Sequence, residues 1–396
     1  MVNVAILGFG TVGSGVAEVI YTNNRQIAQR VSDPVEVKYI LDVRDFPDSP
    51  FADKVIHDLS IIENDPEVDV VVETIGGATI ALEFTRRALA AGKSVVSSNK
   101  ELVAKHGCQL MKLAKENNVS YLFEASVGGG IPILHPIRSC LAANELDQIS
   151  GILNGTTNYI LTRMIQAGLS FEQALKEAQA KGYAEQNPAA DIEGHDACRK
   201  ICILASLAWG RHIAPEQVPT EGITAITLAD VAYAKAAGMK IKLLGRALRR
   251  DDGKVAAYVA PHLVKEETPL ANVVGVFNAI SVVGNAIGDV MFYGQGAGKL
   301  PTASAVVADV MEAAKAKGYI KSNYWEEGGE DVVFSSDEVE SQWYARVSGQ
   351  EEGPGWKKLG AADGQSAWLS EGMLTPAQAK AELKGLEVKT LFRVLD

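Results

Sequence analysis

The sequence has few cysteines and no long hydrophobic run. Four cysteines among 396 residues are too few and too widely spaced to form a disulfide framework. The chain begins with an apolar strand pattern, without the basic and hydrophobic regions of a signal peptide, and no stretch has the length of a transmembrane helix. These features predict a protein of the reducing cytoplasm.

Basic residues are also in the minority. The chain carries 38 lysines and arginines against 49 aspartates and glutamates, which gives a formal net charge of −11. A nucleic acid or an anionic membrane would require a basic face on the protein. The charge therefore predicts no nucleic-acid partner and no membrane partner, and by itself it does not indicate a small-molecule substrate. Cys198 and Cys202 are four residues apart, but two cysteines alone do not complete a metal site, so buried packing is the favoured interpretation.

The order of the predicted elements indicates the fold. A chain of this length exceeds one hydrophobic core, so two or three domains are expected. In the first third of the chain, apolar strand patterns alternate with helical patterns, which predicts βαβ units and a parallel sheet. The strand patterns lie at 2–7, 35–41, 68–73, 94–97 and 120–124, with helices at 14–21 and 81–91.

The predicted fold class is α/β with three parts. Residues 1–130 form a Rossmann-type dinucleotide-binding domain, which a helix at 301–320 completes. Residues 131–300 mix strands and helices and form a second, α+β domain for the substrate. Residues 325–396 form a small C-terminal module. The chain contains no internal repeat and no low-complexity segment.

A glycine-rich turn ends the first strand and opens the first helix. It consists of Gly8, Phe9, Gly10, Thr11, Val12 and Gly13. In such a turn the first glycine permits the tight bend, the second lets a pyrophosphate approach the backbone, and the third allows the helix to pack closely on the strand. The helix N-terminus then offers free N–H groups to the phosphates. This context predicts a site for NAD or NADP.

Two charged residues at the end of the second strand bear on the choice of nucleotide. Asp42 could accept hydrogen bonds from the ribose hydroxyls of NAD, whereas Arg44 could pair with the 2′-phosphate of NADP. A solvated ion pair between the two is the alternative. NADP is the preferred cofactor in this interpretation, and NAD stays possible.

Acidic residues are concentrated just before and at the start of a predicted helix at 195–209, whose later part is apolar. They are Glu185, Asp191, Glu193 and Asp196. Lys200 follows Asp196 by four residues, so the two share one helical face. One interpretation is a capped helix with a surface ion pair. The other is an acidic pocket for a substrate ammonium group, with a lysine that an aspartate orients for proton transfer.

The chain resembles the homoserine dehydrogenase family over residues 1 to about 320. The resemblance rests on a series of motifs in the same order, at 8–13, 71–77, 98–100, 124–132, 154–161, 182–185 and 296–305. One departure is Asn187, where the family usually carries an aspartate before the proline. The resemblance implies NAD(P)H-dependent interconversion of L-aspartate 4-semialdehyde and L-homoserine, in the biosynthesis of threonine, methionine and isoleucine.

The resemblance also implies roles for individual residues. It makes Lys200 the acid/base and Asp196 the residue that holds it. The substrate is bound by Gly182, Glu185, Asp191 and Asp196. Lys100 is implied as a second lysine near substrate and cofactor, and Gly298 as part of the nicotinamide site.

A monovalent cation site is implied at the glycine-rich turn that follows the last strand of the first domain. There the Glu124 carboxylate and the carbonyl oxygens of Val127, Gly129 and Ile131 would bind sodium in a structural role. Hard oxygen ligands suit such an ion. From the residues alone, a glycine-rich turn that needs no metal is the better interpretation.

Oligomeric state and regulation follow only from the resemblance. It implies a homodimer or homotetramer through the second domain, and a diverged ACT-like module at the C-terminus. Two other functions remain open. An aspartate-semialdehyde dehydrogenase would need a cysteine nucleophile with a nearby base, and no cysteine here lies in a polar, glycine-flanked loop. A non-catalytic nucleotide-binding regulator would need neither Lys200 nor Asp196.

Overall fold

The computed structural model describes residues 1–315, 325–329, 331–349 and 354–395. Its contacts divide the chain into two compact units. The first consists of Met1–Asn144, Ser206–Pro215 and Gly294–Gly328. The second consists of Glu145–Ala205, Glu216–Tyr293 and Gly329–Asp396. Among the described residues, no helix is both long and apolar enough to cross a membrane.

The first unit begins with alternating strands and helices. Its strands are β1 (Val2–Leu7), β2 (Val35–Leu41), β3 (Val55–Ile56), β4 (Val68–Glu73), β5 (Ser94–Ser97) and β6 (Tyr121–Leu122). The helices between them are α1 (Thr11–Thr22), α2 (Asn24–Val31), α3 (Leu59–Asn64), α4 (Thr79–Ala90) and α5 (Lys100–Glu116).

These six strands form one parallel sheet in the order β3-β2-β1-β4-β5-β6. The chain crosses from one side of β1 to the other after β3, so the carboxyl ends of β1 and β4 lie at the switch point where such sheets bind ligands. The prediction of a Rossmann-type parallel sheet is confirmed. The strand predicted at 120–124 is shorter than expected, because Phe123 leaves the extended conformation (φ −155°, ψ 37°) and a short 3-10 helix begins at Glu124.

The second unit has a mixed sheet. Its first elements are β7 (Leu146–Ile152), α6 (Gly155–Ala167), α7 (Phe171–Ala180), α8 (Ala189–Ile192), α9 (His195–Trp209), α10 (Leu228–Ala236), β8 (Met239–Arg249), β9 (Val255–Lys265), β10 (Phe277–Gly284) and β11 (Gly288–Gln295). The ends of two of them, 206–209 of α9 and 294–295 of β11, are assigned to the first unit. Then α11 (Lys299–Lys315) belongs to the first unit, where it packs against α1. The C-terminal elements are β12 (Trp343–Ser348), β13 (Lys357–Ala362), β14 (Gln365–Leu369), α12 (Pro376–Glu382) and β15 (Val388–Val394).

The nine strands of this sheet run in the order β11-β10-β7-β8-β9-β15-β12-β14-β13. The last strand of the chain, β15, lies parallel to β9 through the pairs Arg393–His262 and Val394–Leu263. The predicted C-terminal module therefore continues the sheet of the second unit. The division of the chain at 130, 300 and 325 stays a prediction, and residues 316–320 of the predicted helix 301–320 lie outside the described residues.

A buried aspartate ties the C-terminal strands to α10. The Asp230 carboxylate accepts hydrogen bonds from the Arg346 guanidinium, the Tyr344 hydroxyl and the Thr390 hydroxyl, at 2.7 to 3.0 Å. Charge-assisted bonds of this kind are the strong ones in a low-dielectric interior. They fix β12 and β15 on α10.

A buried lysine in β8 is expected to make the stability of the second unit depend on pH. Lys242 donates hydrogen bonds to Asn158 Oδ1 and to the carbonyl oxygen of Val273. Burial lowers the pKa of Lys242 to about 7, whereas a lysine in an unfolded chain has a pKa of about 10.4. Between these values the unfolded chain binds a proton that the folded chain does not, so stability rises with pH across this window.

Replacing Lys242 with methionine is expected to remove this dependence. Relative to Lys242→Met, the wild type should gain about 1.4 kcal/mol in free energy of unfolding per pH unit between roughly pH 7 and 10. Thermal melting of both proteins at several pH values in this range measures it. Parallel curves for the two proteins would mean that Lys242 is protonated in the folded state.

Candidate active site

The turn after β1 has the geometry that a dinucleotide needs. Gly8 adopts a φ of +89°, in the left-handed region that favours glycine. A Cβ at Gly13 would lie 2.0 Å from the carbonyl oxygen of Gly8, so α1 starts directly against the end of the strand. A Cβ at Gly10 would meet nothing within 4 Å. The backbone at Gly10 is therefore open to a ligand.

Asp42 and Arg44 form an ion pair beside this turn. The Asp42 carboxylate accepts a hydrogen bond from the Phe9 N–H at 2.7 Å and two from the Arg44 guanidinium at 3.0 and 3.1 Å. The hydrogen bond from Arg44 is the largest cause that lowers the pKa of Asp42 to about 2. The Asp42 side chain is 7% exposed, whereas the Arg44 side chain is 60% exposed. The carboxylate is fixed, and the guanidinium can move to another partner.

A pocket of about 450 Å³ joins these residues to the carboxyl end of β4. Gly10, Asp42, Arg44, Gly76 and Phe84 are among the residues that line it. The glycine turn, the apolar wall and the strand-end charges suit the pyrophosphate, adenine and ribose of a dinucleotide. The residues present therefore fit the nucleotide that the first strand and helix predict.

Polar side chains that the sequence did not single out support this edge of the sheet. Glu73, fully buried at the end of β4, accepts hydrogen bonds from the Ser97 hydroxyl and the Ile75 N–H. Burial raises the pKa of Glu73 to about 7. Asn99 caps α5 by accepting from the Leu102 N–H and donates to the carbonyl oxygens of Ile75 and Gly77. These bonds fix the turn after β4 to the start of α5, where Lys100 is the first residue.

The predicted acid/base pair lies at the start of α9. Lys200 Nζ donates to Asp196 Oδ2 and to the carbonyl oxygen of Leu153, both at 2.7 Å. Asp196 is 4% exposed and Lys200 9%. The alternative of a surface ion pair is therefore wrong. An ammonium has three N–H donors, so the two protein acceptors leave one donor for a substrate oxygen.

Asn154 connects Asp191 to Asp196 by hydrogen bonds. The sequence indicated Asn154 only as part of the motif at 154–161 and predicted no role for it. Asn154 Nδ2 donates to Asp191 Oδ1 at 2.8 Å and to Asp196 Oδ2 at 2.9 Å. Burial and the neighbouring charge of Asp196 raise the pKa of Asp191. Asn154 is the second residue after β7 and caps α6, and this position between a strand and a helix was the signal that could have identified it.

The other predicted substrate residues lie in the turn that follows α7. Gly182 and Glu185 are exposed there. In the described part of the chain the Glu185 carboxylate makes no ion pair, so it stays available to a ligand. The structure thus brings Asp191, Asp196 and Lys200 together and leaves Glu185 outside their hydrogen bonds.

The predicted cation turn is buried and rich in oxygen ligands. The Glu124 carboxylate accepts hydrogen bonds from the N–H groups of Ile133, Leu134 and His135, at 2.6 to 2.9 Å. Its burial raises the pKa of Glu124. Across the described ranges, no hydrogen bond reaches the carbonyl oxygens of Val127, Gly129 and Ile131. One carboxylate and three unsatisfied carbonyls fit a hard monovalent cation.

The turn that contains Gly129 lies against residues 296–297, next to Gly298, and both segments belong to the first unit. A Cβ at Gly129 would lie 2.4 Å from the carbonyl oxygen of Gly296, and Gly298 has a φ of +132°.

Among described residues, no cluster of three or more His, Cys, Asp or Glu side chains could hold a metal ion. Cys198 and Cys202 are buried, which confirms their predicted packing.

Comparison with known proteins identifies the family. The sequence model of the NAD binding domain of homoserine dehydrogenase matches residues 8–124, and the homoserine dehydrogenase model matches residues 132–311. The chain belongs to the homoserine dehydrogenase family. The homoserine dehydrogenase of Pseudomonas aeruginosa is 45% identical over 316 residues, which are 80% of this chain and 73% of that protein. That of Bacillus subtilis is 38% identical over 364 residues, 90% of this chain and 84% of that one.

Solved structures of homoserine dehydrogenases share the fold. One from Thiobacillus denitrificans matches with a TM-score of 0.90 at 33% identity, over 100% of this chain and 98% of that one. A hyperthermophilic archaeal homoserine dehydrogenase in complex with NADPH matches with a TM-score of 0.68 at 29% identity, over 81% of this chain and 99% of that one. The protein is therefore an oxidoreductase of this family, and neither a thioester-forming dehydrogenase nor a non-catalytic regulator is supported.

Proposed function

We propose that this homoserine dehydrogenase reduces L-aspartate 4-semialdehyde reversibly to L-homoserine with Lys200 as the acid/base. The observation that carries the proposal is the buried position of Lys200, with Asp196 and Leu153 fixing its ammonium group. When bound, NADPH supplies the hydride that reduces the aldehyde carbon. Negative charge then develops on the aldehyde oxygen, and the third N–H of Lys200 donates a proton there.

The same geometry serves the reverse reaction. The Lys200 amine, once deprotonated, takes the hydroxyl proton of homoserine. Asp196 holds the lysine at one position in both directions, because its carboxylate lies 2.7 Å from Nζ. General acid–base catalysis of this type contributes about 10²- to 10⁴-fold to a rate.

The ammonium group of the substrate is assigned to Asp191 and Glu185, with the backbone of Gly182 beside them. Burial and the charge of Asp196 raise the pKa of Asp191, so its carboxylate gains stability when a cation arrives. Glu185 is exposed, and its contribution to binding is expected to be smaller because solvent screens it.

NADP is the proposed cofactor, bound at the glycine turn and at Asp42, Arg44, Lys100 and Gly298. The exposed Arg44 guanidinium supports this choice, because it can leave Asp42 and pair with a 2′-phosphate. A related archaeal homoserine dehydrogenase is solved in complex with NADPH, which also supports it. NAD, with ribose hydroxyls facing Asp42, is a possible second cofactor.

Replacing Arg44 with alanine should raise KM for NADPH about tenfold or more and change KM for NADH about twofold or less, because only NADPH carries the 2′-phosphate. The variant also leaves the Asp42 carboxylate without its guanidinium, which adds repulsion of the phosphate. Initial rates with each cofactor measure the effect. Arg30→Ala, an exposed arginine on α2, is the matched control. Equal effects on both cofactors would make Arg44 an ordinary surface charge.

Sodium is the proposed ion at Glu124, Val127, Gly129 and Ile131. There it would supply positive charge beside the buried Glu124 carboxylate and satisfy three carbonyl oxygens. Its role would be structural, since these residues lie in a turn that the N–H groups of 133–135 already hold.

The remaining proposals concern the cellular setting. The enzyme would act in the cytoplasm as a homodimer or homotetramer, in the biosynthesis of threonine, methionine and isoleucine. Initial rates of semialdehyde reduction with NADPH and with NADH, each with and without threonine, test the activity, the cofactor preference and a response of the C-terminal segment together. No oxidation of either cofactor in the presence of the semialdehyde would contradict the proposed function.

A further inference from the structure

The turn between β7 and α6 places one neutral amide between the buried carboxylate of Asp196 and the half-buried carboxylate of Asp191. Asn154 is 6% exposed, and its Oδ1 accepts from the Thr157 N–H at 2.8 Å, which caps α6. The cap fixes the orientation of the side chain, because Oδ1 and Nδ2 of an amide point in different directions. Nδ2 is thereby directed at Asp191 and Asp196, at 2.8 and 2.9 Å.

The contact matters because the two carboxylates accept from the same Nδ2 and are both shielded from solvent, Asp196 buried and Asp191 half-buried. Their mutual repulsion favours protonation of one of them. Burial and the charge of Asp196 raise the pKa of Asp191, whereas hydrogen bonds from Asn154 and Thr156 and the charge of Lys200 lower it. A neutral amide stabilises both anions without adding a positive charge, which would compete with the substrate ammonium for them.

The same turn also fixes the lysine. Asp196 Oδ2 accepts from both Asn154 Nδ2 and Lys200 Nζ, and the second acceptor of Nζ is the carbonyl of Leu153, the residue before Asn154. A shift of this turn would move Asp196, Lys200 and Asp191 together. A displacement of about 1 Å at a reacting group can cost about a hundredfold in rate.

We propose that Asn154 is a positioning residue of the reaction, whose amide keeps Asp191 and Asp196 side by side as carboxylates, one for the substrate ammonium group and one for Lys200. This inference rests on the proposed roles of Lys200 and Asp191. Asn154 itself touches neither the hydride nor the aldehyde.

The decisive variant is Asn154→Asp. Aspartate caps a helix as well as asparagine does, so α6 keeps its cap while the donor to Asp191 and Asp196 is lost. The new carboxylate adds a third negative charge beside those two. We expect kcat/KM for the semialdehyde to fall about tenfold to a hundredfold at neutral pH, since hydrogen bonds to two charged groups are lost.

The pH profile separates positioning from a purely structural role. Loss of the amide donor raises the pKa of Asp191 further, so the acidic limb of kcat/KM should move up by about one pH unit in Asn154→Asp. The Kd for NADPH should stay at the wild-type value, because the change touches only the second unit. Asn154→Ser keeps a cap without adding a charge and should lose kcat/KM with a smaller shift of the acidic limb.

The control is Ser170→Ala, which removes the cap of α7 in the same unit. It should lower the melting temperature slightly and leave kcat/KM and its pH profile unchanged. Wild-type kcat/KM and an unshifted profile in Asn154→Asp would overturn the proposal, and so would unfolding of both Asn154 variants, which would make the residue structural. Failure of the wild type to reduce the semialdehyde would instead remove the proposed function.

Discussion

Lys200→Met is expected to lower kcat for semialdehyde reduction about a hundredfold to ten-thousandfold. Methionine has nearly the length of lysine but has no ionisable proton. The negative charge that develops on the aldehyde oxygen is therefore left without a proton donor. Steady-state rates at saturating NADPH measure the loss. The Kd for NADPH should not change, because the nucleotide-binding turn after β1 belongs to the first unit.

Loss of the ammonium also leaves the buried Asp196 carboxylate without its cation, which could destabilise the fold by several kcal/mol. Lys200→Arg removes this ambiguity, because arginine keeps the positive charge but does not release a proton. It should fold and still lose most of kcat. Lys176→Met, an exposed lysine on α7, is the matched control. Near wild-type turnover in Lys200→Arg would mean that another group transfers the proton.

Two alanine substitutions in the glycine turn should fail in different ways. In Gly13→Ala the new methyl group would lie 2.0 Å from the carbonyl oxygen of Gly8, so β1 and α1 must separate. Overpacking of this kind costs about 1–3 kcal/mol, which predicts a melting temperature lower by roughly 5 °C together with loss of nucleotide binding.

Gly10→Ala, by contrast, should keep the wild-type melting temperature. Its φ of −79° suits alanine, and the methyl group would meet no protein atom within 4 Å. The methyl group would occupy space that the pyrophosphate needs, so affinity for NADPH should fall about a hundredfold.

Thermal melting and titration with NADPH, done on both variants, distinguish the two effects. Gly372→Ala is the control, since Gly372 lies in the second unit and its Cβ would also meet nothing within 4 Å. Wild-type melting and affinity in Gly13→Ala would contradict the close start of α1 on β1.

Local patterns were sufficient to predict five of the six strands of the first sheet, all except β3. Strands at 35–41, 68–73 and 94–97 are confirmed residue for residue, because short apolar runs bounded by turn residues define buried parallel strands. Helix α1 begins earlier than the predicted start at residue 14, at Thr11. The predicted turn extends to Gly13, yet Gly13 lies inside the helix, where only a residue without a side chain fits.

Pairing between distant strands could not be predicted in the same way. The last strand lies beside β9 through Arg393 and His262, two positions separated by more than a hundred residues. No local periodicity encodes such a pairing, so the sequence alone predicts a separate C-terminal module. The contacts of Arg346 and Tyr344 with Asp230 could not be predicted from local patterns either, because in the sequence each residue could equally be a surface polar group.

The separation of two residues along the sequence predicts only part of the active-site geometry. A separation of four residues places Asp196 and Lys200 on one helical face, but it does not say whether that face is buried. The burial of both side chains is a property of the packing around α9. Asn154 could be expected as a helix cap, whereas its donor bonds to Asp191 and Asp196 depend on where α8 and α9 lie in the fold.

The most direct test of hydride transfer from NADPH to the aldehyde carbon uses a deuterium label. The enzyme is incubated with L-aspartate 4-semialdehyde and NADPH that carries deuterium at the transferable nicotinamide position, and the product is analysed by mass spectrometry. Transfer of hydride to the aldehyde carbon predicts L-homoserine with one deuterium on the carbon that bears the hydroxyl group, formed in equal amount to the NADP released. Lys200→Met should form this product at a rate at least about a hundredfold lower. Unlabelled homoserine, or no homoserine while the cofactor is oxidised, would contradict the account.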